Sequence, residues 1–408
     1  MLGLRGCVPD LRGHLSCQPV HGDRRGGEAD MRWKLAFLLF LGCAYFNAYY
    51  NARRLFEQAE EEREKGKDVK ALYDQVIRKA SKVIAFYPKS RWVDDSLLLL
   101  GKALYRKGEY EQAVRKFREL REYFPESGLV DEAKYWEGMA LGEAGRREEA
   151  LSVLIELAEG KDKWACRASA ALGDLYDDPT EALSWYERAL HCIEGPELFA
   201  VGLRLARTYR RAGRPEEAER LIRNLLRKKP PLDLSYLLQE ELAGALSDMG
   251  RHEEALEIYR ELERIGSAEV LLGVGRVYSK MGRREEALKL YAEVAGAFPK
   301  TREAVQAWWE SGRLLLRLGR WKEARDAFRK ATEEGIPCEE ARQAGEYGEK
   351  LEHLEELKAR ADSTGDVRDR VALAEFFLLE LDHPDSALAA YRKILKDFPN
   401  SELAPRAL

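Results

Sequence analysis

Cysteine is scarce in this 408-residue chain: there are six, none in a CxxC pair. That excludes a dense disulfide framework and a zinc-ribbon ligand set. Histidine is equally thin, with His14, His21, His191, His252, His353 and His383 scattered singly, so no metal-ligand spacing can be read. There is no HExxH, no P-loop lysine motif and no G-x-S-x-G elbow. The pair Gly273 and Gly275 lacks the third glycine of a dinucleotide loop and reads as helix packing. The sequence therefore predicts no enzyme, no cofactor, no metal and no small-molecule substrate. A formal net charge of −4 gives no bulk attraction to nucleic acid or to an anionic membrane surface.

Proline and β-branched residues are sparse, whereas 34% of the residues are charged and 45% are apolar. This is the composition of helices with solvated outer faces. A glycine followed five residues later by alanine recurs at Gly108/Ala113, Gly145/Ala150, Gly213/Ala218, Gly250/Ala255, Gly282/Ala287 and Gly319/Ala324. Four residues after each alanine stands a large apolar residue: Phe117, Leu154, Ile222, Tyr259, Tyr291 and Phe328. Seven residues before each glycine stands a small one: Gly101, Gly138, Ala206, Ala243, Gly275 and Gly312. A copy with a shortened turn follows Gly173, and one with a lengthened turn follows Ala374.

This spacing predicts antiparallel helix pairs that approach closely where contact residues are small. The small residue is expected to face the alanine of the second helix, with the large residue filling the gap to the next pair. The turn glycine should adopt a left-handed conformation. Recurring pairs such as Glu148-Glu149 and Glu253-Glu254 read as helix-start residues, not general acids. These positions resemble the tetratricopeptide signature, with Leu172-Gly173 and Tyr176 as the fullest match and Trp308 and Gly312 matching in part. The resemblance implies an all-α, right-handed α-solenoid of helix-turn-helix repeats, whose first helices line a concave face that binds partner segments.

The N-terminal region differs. Residues 1–30 are rich in Gly and Arg without apolar periodicity, and read as a disordered upstream extension with Met31 as the true start. Arg32 and Lys34 then precede the apolar stretch Leu35 to Leu41, followed by Gly42-Cys43. Seven apolar residues suit a signal-peptide h-region and are too few for a span, which needs about 20. Gly42-Cys43 resembles the lipobox of bacterial lipoproteins, in which the cysteine carries the lipid. Phe40 and Leu41 depart from its usual pattern. An uncleaved anchor from Leu35 to Tyr50, or a buried first helix, are the alternatives.

The stretches from Cys43 to Arg53 and from Tyr87 to Ser96 are similar to bacterial tetratricopeptide lipoproteins of the BamD type, which serve outer-membrane barrel assembly. In sequence order the expected organisation is extension 1–30, signal peptide 31–42, lipidated N-terminus and degenerate leading repeat 43–90, repeat array 91–333, irregular helical spacer 334–365, and a further repeat 366–408. Two local expectations complete it. Cys166 and Cys192 fall at adjoining ends of one helix hairpin, where they either form a disulfide or stand as two small, partly buried residues. Arg207, Arg210, Arg211, Arg276, Lys280, Arg313 and Arg317, with Trp309 beside them, either form a basic partner-binding groove or are solvated charges. An acidic stretch, Asp174, Asp177 and Asp178, precedes them.

The expected role is a membrane-tethered scaffold for other envelope proteins at the periplasmic face of the outer membrane, in assembly or secretion. The alternative is a cytoplasmic adaptor or regulator.

Overall fold

The computed structural model describes residues 48–399 and 401. Cys43, the signal segment 31–42 and the extension 1–30 lie outside the described residues. The helices are α1 (48–64), α2 (Lys70–Phe86), α3 (Val93–Arg106), α4 (Tyr110–Tyr123), α5 (Val130–Glu143), α6 (Arg147–Ala158) and α7 (Lys163–Leu175). Then follow α8 (Pro179–Leu190), α9 (Pro196–Arg211), α10 (Pro215–Arg227), α11 (Leu232–Asp248), α12 (His252–Leu262) and α13 (Ala268–Lys280). The chain continues with α14 (Arg284–Ala297), α15 (Arg302–Arg317), α16 (Trp321–Glu333), α17 (Glu339–Thr364), α18 (Val367–Leu379) and α19 (Pro384–Asp397). No strand occurs among the described residues.

The chain divides into two compact units, Met1–Ala171 and Leu172–Leu408, with the division inside α7. In the first unit each helix from α2 to α6 packs on the next, and α3 also touches α5. In the second unit each helix from α8 to α19 packs on the next, and α9, α11, α13, α15 and α17 form a row in which each first helix meets the following one. Neighbour-on-neighbour packing of this kind is an all-α solenoid arrangement.

Each hairpin turn is built by its glycine. Gly108, Gly145, Gly213, Gly250, Gly282 and Gly319 all have positive φ, between 67° and 82°. At Gly108 the glycine N–H donates to the Tyr105 carbonyl, and the next N–H, of Glu109, donates back to Leu104 at 2.9 Å. This reverse pairing satisfies the last carbonyls of the first helix. A side chain in that conformation would cost about 1–2 kcal/mol.

The expectation that small residue faces alanine is corrected. A Cβ added at Gly312 would stand 2.5–2.8 Å from the Phe328 ring, and one at Gly138 would stand 2.5 Å from Leu154. The glycine therefore makes room for the large apolar residue of its own hairpin. Phe117, Phe328 and Tyr291 thereby pack against the first helices of their own hairpins, each almost wholly buried. Such a side chain contributes roughly 1.5–3 kcal/mol on burial. The alanines, also buried, set the helix separation beside these rings.

The second helices carry a separate pattern on their first turns. The residue after each turn glycine is usually arginine, and it pairs with the glutamate three residues on: Arg146 with Glu149, Arg251 with Glu254, Arg320 with Glu323. The same arginines reach the preceding hairpin's second helix, at Glu111, Glu219 and Glu285, over 2.8–2.9 Å. Such surface pairs are each worth about 0–1 kcal/mol. Their interest lies in the one-repeat register that they mark.

Candidate functional site

The first helices α9, α11, α13 and α15 of the second unit carry the charged side chains singled out above. Arg207 Nε lies 3.2 Å from Glu241 Oε2. Arg210 reaches both Glu241, at 2.6 Å, and Asp248, at 2.7 Å. Asp248 also binds the Lys280 ammonium, and Arg276 Nε lies 3.1 Å from Glu310. The face is therefore a ladder of alternating charge, in which four of the seven cations offered for a basic groove are paired with carboxylates. Burial alone would depress the Arg210 guanidinium, but Glu241 and Asp248 more than reverse this and hold it above its ordinary value.

Three of the expected cations are left over. Arg211, Arg313 and Arg317 are exposed and form no ion pair among the described residues. Trp309 must be corrected: it is only 8% exposed, packed on Phe328 and Tyr347 with ring centroids 5.3 and 5.7 Å away. It is a core residue, beneath the Arg313 guanidinium at 5.8 Å. The acidic stretch is also tied down. Asp174 pairs with Arg204 at 2.6 Å and accepts a hydrogen bond from the Tyr186 hydroxyl. Asp178 caps α8, accepting from the Thr180 N–H.

Between α11, α13 and α15 lies a cleft of about 390 Å³, contained in the second unit. Two glycines of adjacent helices make room for side chains that line it. The Arg210 guanidinium lies where a side chain at Gly244 would stand, and the Tyr259 hydroxyl lies 2.5 Å from where Cβ of Gly273 would be. Tyr259 and Tyr291 line the cleft and are 4% and 1% exposed. Neither hydroxyl has a hydrogen-bond partner among the described residues. Burial, and then Glu240 for Tyr259 and Glu310 for Tyr291, raise both phenols well above the usual range, so both remain donors. Glu240 lines the same cleft. Burial first, and then Glu269 and Glu241, raise its carboxyl.

The sequence reading missed Glu240, Glu241, Asp248 and Glu310, and it took Gly273 only as helix packing. One signal was present. Arg207 and Glu241, and Arg276 and Glu310, are each separated by 34 residues, which is one repeat. No group of three His, Cys, Asp or Glu among the described residues is placed to hold a metal. No described helix is long and apolar enough to cross a membrane. Cys166, buried near the start of α7, and Cys192, just after α8, are each in the disulfide-bonded form, while Cys338 is a free thiol.

Three models of the tetratricopeptide repeat match the chain, at residues 163–263, at 273–337, and at 95–127 with 371–401, together more than half of its length. No curated protein matches it. Among solved structures, a tetratricopeptide repeat protein from Parabacteroides merdae is 18% identical, with a TM-score of 0.52, covering 62% of this chain and 98% of its own. A Podosopora anserina protein with nearly identical TPR-like repeats is 19% identical, with a TM-score of 0.37, covering 42% and 94%. MamA is 23% identical, with a TM-score of 0.33, also covering 42% and 94%.

Proposed function

The chain is a tetratricopeptide repeat protein, a scaffold for protein–protein interaction, and from that premise we propose that it serves in the bacterial cell envelope. In this reading it is tethered to the membrane through a lipid on Cys43, faces the periplasm, and holds other envelope proteins along its first helices. The observation that carries the scaffold role is the row α9, α11, α13 and α15, which aligns polar side chains of successive repeats on one face. Support for the tether comes from Arg32 and Lys34, the apolar stretch Leu35 to Leu41, and Gly42-Cys43. A role in outer-membrane assembly or secretion rests on the resemblance of residues 43–53 and 87–96 to BamD-type lipoproteins.

The tether is tested by Cys43→Ala, which should release the protein from the membrane fraction and abolish labelling by a palmitate analogue. Unchanged labelling would remove the lipid anchor, and a wild-type protein found wholly in the cytoplasm would favour the adaptor role. The partner is sought by crosslinking in cells followed by mass spectrometry, with envelope proteins expected. An oxidising compartment fits Cys166 and Cys192 bonded to each other. Thiol counting on denatured protein should then yield two more thiols after reduction, and no increase would exclude the bond.

A further inference from the structure

We infer that the end of the α1–α2 hairpin, through Arg78, Lys82, Phe86, Lys89 and Arg91, lies against a bilayer surface bearing anionic phospholipid headgroups. This rests on the membrane-tether reading above and names the part of the protein turned to the lipid.

Three observations converge. The first is charge segregation. The whole chain is net −4, yet residues 78–91 hold five basic side chains and no acidic one. Arg78, Lys82, Lys89 and Arg91 are exposed, and none forms an ion pair among the described residues. One repeat on, the equivalent positions are Arg115, Glu119, Tyr123 and Glu126, and there Glu119 binds Lys116 at 2.7 Å. The repeat pattern therefore keeps the aromatic ring without imposing the positive charge.

The second is the form of the patch. Arg78, Lys82 and Phe86 stand at i, i+4 and i+8, so they make one stripe along α2. The Phe86 side chain ends it, 73% exposed. Cations beside a protruding ring suit a bilayer interface: the cations meet headgroup phosphates while the ring enters the boundary with the acyl chains.

The third is position. A short turn joins α1 to α2, and Phe56 meets Tyr73 at 5.9 Å, so the start of α1 adjoins the end of α2. Tyr49 stacks on Trp92 at 5.0 Å, and the Arg91 guanidinium lies over the same indole at 4.7 Å. The carboxylates of Asp94 and Asp95 here are turned to the Ser127 and Tyr49 hydroxyls. The acidic run Glu60 to Glu64 is at the opposite end of the hairpin. Residue 48, where α1 begins, is five residues beyond Cys43, a reach of at most about 18 Å. A lipid on Cys43 would thus hold this end, and not the acidic one, at the bilayer. Another exposed basic run, Arg227 to Lys229 beside Leu232, is in the second unit, far along the chain from Cys43.

The test is vesicle co-sedimentation of the full chain carrying Cys43→Ala, so that no lipid contributes. The vesicles are phosphatidylcholine alone or with about one-third phosphatidylglycerol. The mixed vesicles are expected to bind at least tenfold more tightly, and the preference should vanish in about 1 M salt, where screening acts within about 3 Å. A basic residue near such a surface is worth about fivefold, so Lys82→Gln/Lys89→Gln/Arg91→Gln should weaken binding to mixed vesicles at least tenfold. Phe86→Ser should weaken it about threefold. Arg227→Gln/Lys228→Gln/Lys229→Gln removes the same charge and should change it less than twofold. All the substituted residues are exposed, and circular dichroism would verify the fold; the apolar stretch 35–41 is common to every variant.

No preference for phosphatidylglycerol, or equal weakening by both triple variants, would overturn the inference. Displacement of the vesicles by polyglutamate at matched charge would overturn it too, making the segment a receptor for an acidic protein. Labelling by a palmitate analogue in cells separates this from the tether. A labelled Cys43 together with undiminished vesicle binding by the Lys82/Lys89/Arg91 variant overturns the assignment and leaves the tether standing. Absence of labelling overturns the tether, on which the assignment depends.

Discussion

Two residues before the small residue of the first helix, α3 and α5 carry Leu99 and Trp136, whereas α11, α13 and α15 carry Glu241, Gly273 and Glu310. In the first unit this position is filled. The Trp136 ring lies edge-on to Tyr105 at 5.4 Å and under Lys102 and Arg106, each at 5.3 Å, while Lys102 bridges to Glu132 at 2.7 Å. In the second unit α11 and α15 carry a carboxylate there and α13 a glycine that admits the Tyr259 ring, beside a cleft lined by tyrosines. Both regions share one backbone plan. The difference shows that the repeat specifies the hairpin and leaves this one register position to decide between a packed face and an open site.

The comparison can be broken most directly by emptying the filled position. Trp136→Ala should cost about 3 kcal/mol in urea unfolding; a loss below 1 kcal/mol would mean that the ring is not what packs α3 to α5. In the second unit the ladder replaces such packing. Glu241→Ala deprives Arg210 and Arg207 of their shared carboxylate and should cost about 2 kcal/mol, and a neutral outcome would make the ladder incidental.

Acid should weaken the same ladder. Burial would raise Asp248, but Arg210 and Lys280 hold it below its ordinary value. A depressed carboxylate stabilises the fold above its unfolded pKa, near 4, and that contribution disappears as pH falls through the lower folded value. Asp248→Asn should therefore lower stability at pH 7 and make little difference near pH 2, measured by urea midpoints.

Smaller effects distinguish partnered from unpartnered phenols. Tyr186 donates to Asp174, so Tyr186→Phe should cost about 1.5 kcal/mol. Tyr259→Phe removes a hydroxyl with no partner among the described residues and should change stability by less than about 0.5 kcal/mol. Equal losses would show that the cleft hydroxyl is already satisfied. The smallest shift has the opposite sign. Glu240 is raised by burial and by Glu269 and Glu241, so its ionisation disfavours the fold as pH rises through the folded value. Glu240→Gln should stabilise at pH 7 by about 0.5 kcal/mol, read as a higher thermal midpoint.

The fold was legible because its signals are local and repeated. A glycine that must take positive φ, a small residue seven positions earlier and a large one nine positions later recur in every full copy, and each acts within one hairpin. The site was legible in part. Arg210, Arg276, Lys280, Arg313 and Arg317 do line one cleft, because their first-helix register placed them on one face. Their charge partners were overlooked, since a carboxylate one repeat away looks like any other solvated glutamate until the helices stack. Trp309 misled because Arg313, one turn further along α15, is exposed while the Trp309 ring turns inward onto Phe328.

By itself the sequence determined the helix hairpins, the turn geometry and the family, since backbone preference and side-chain size act over a few residues and repeat unchanged. Only the tertiary structure decided which cations are neutralised, which remain available, and where an opening persists. Those outcomes depend on residues about 34 positions apart meeting across neighbouring helices, where distance and burial set the electrostatics.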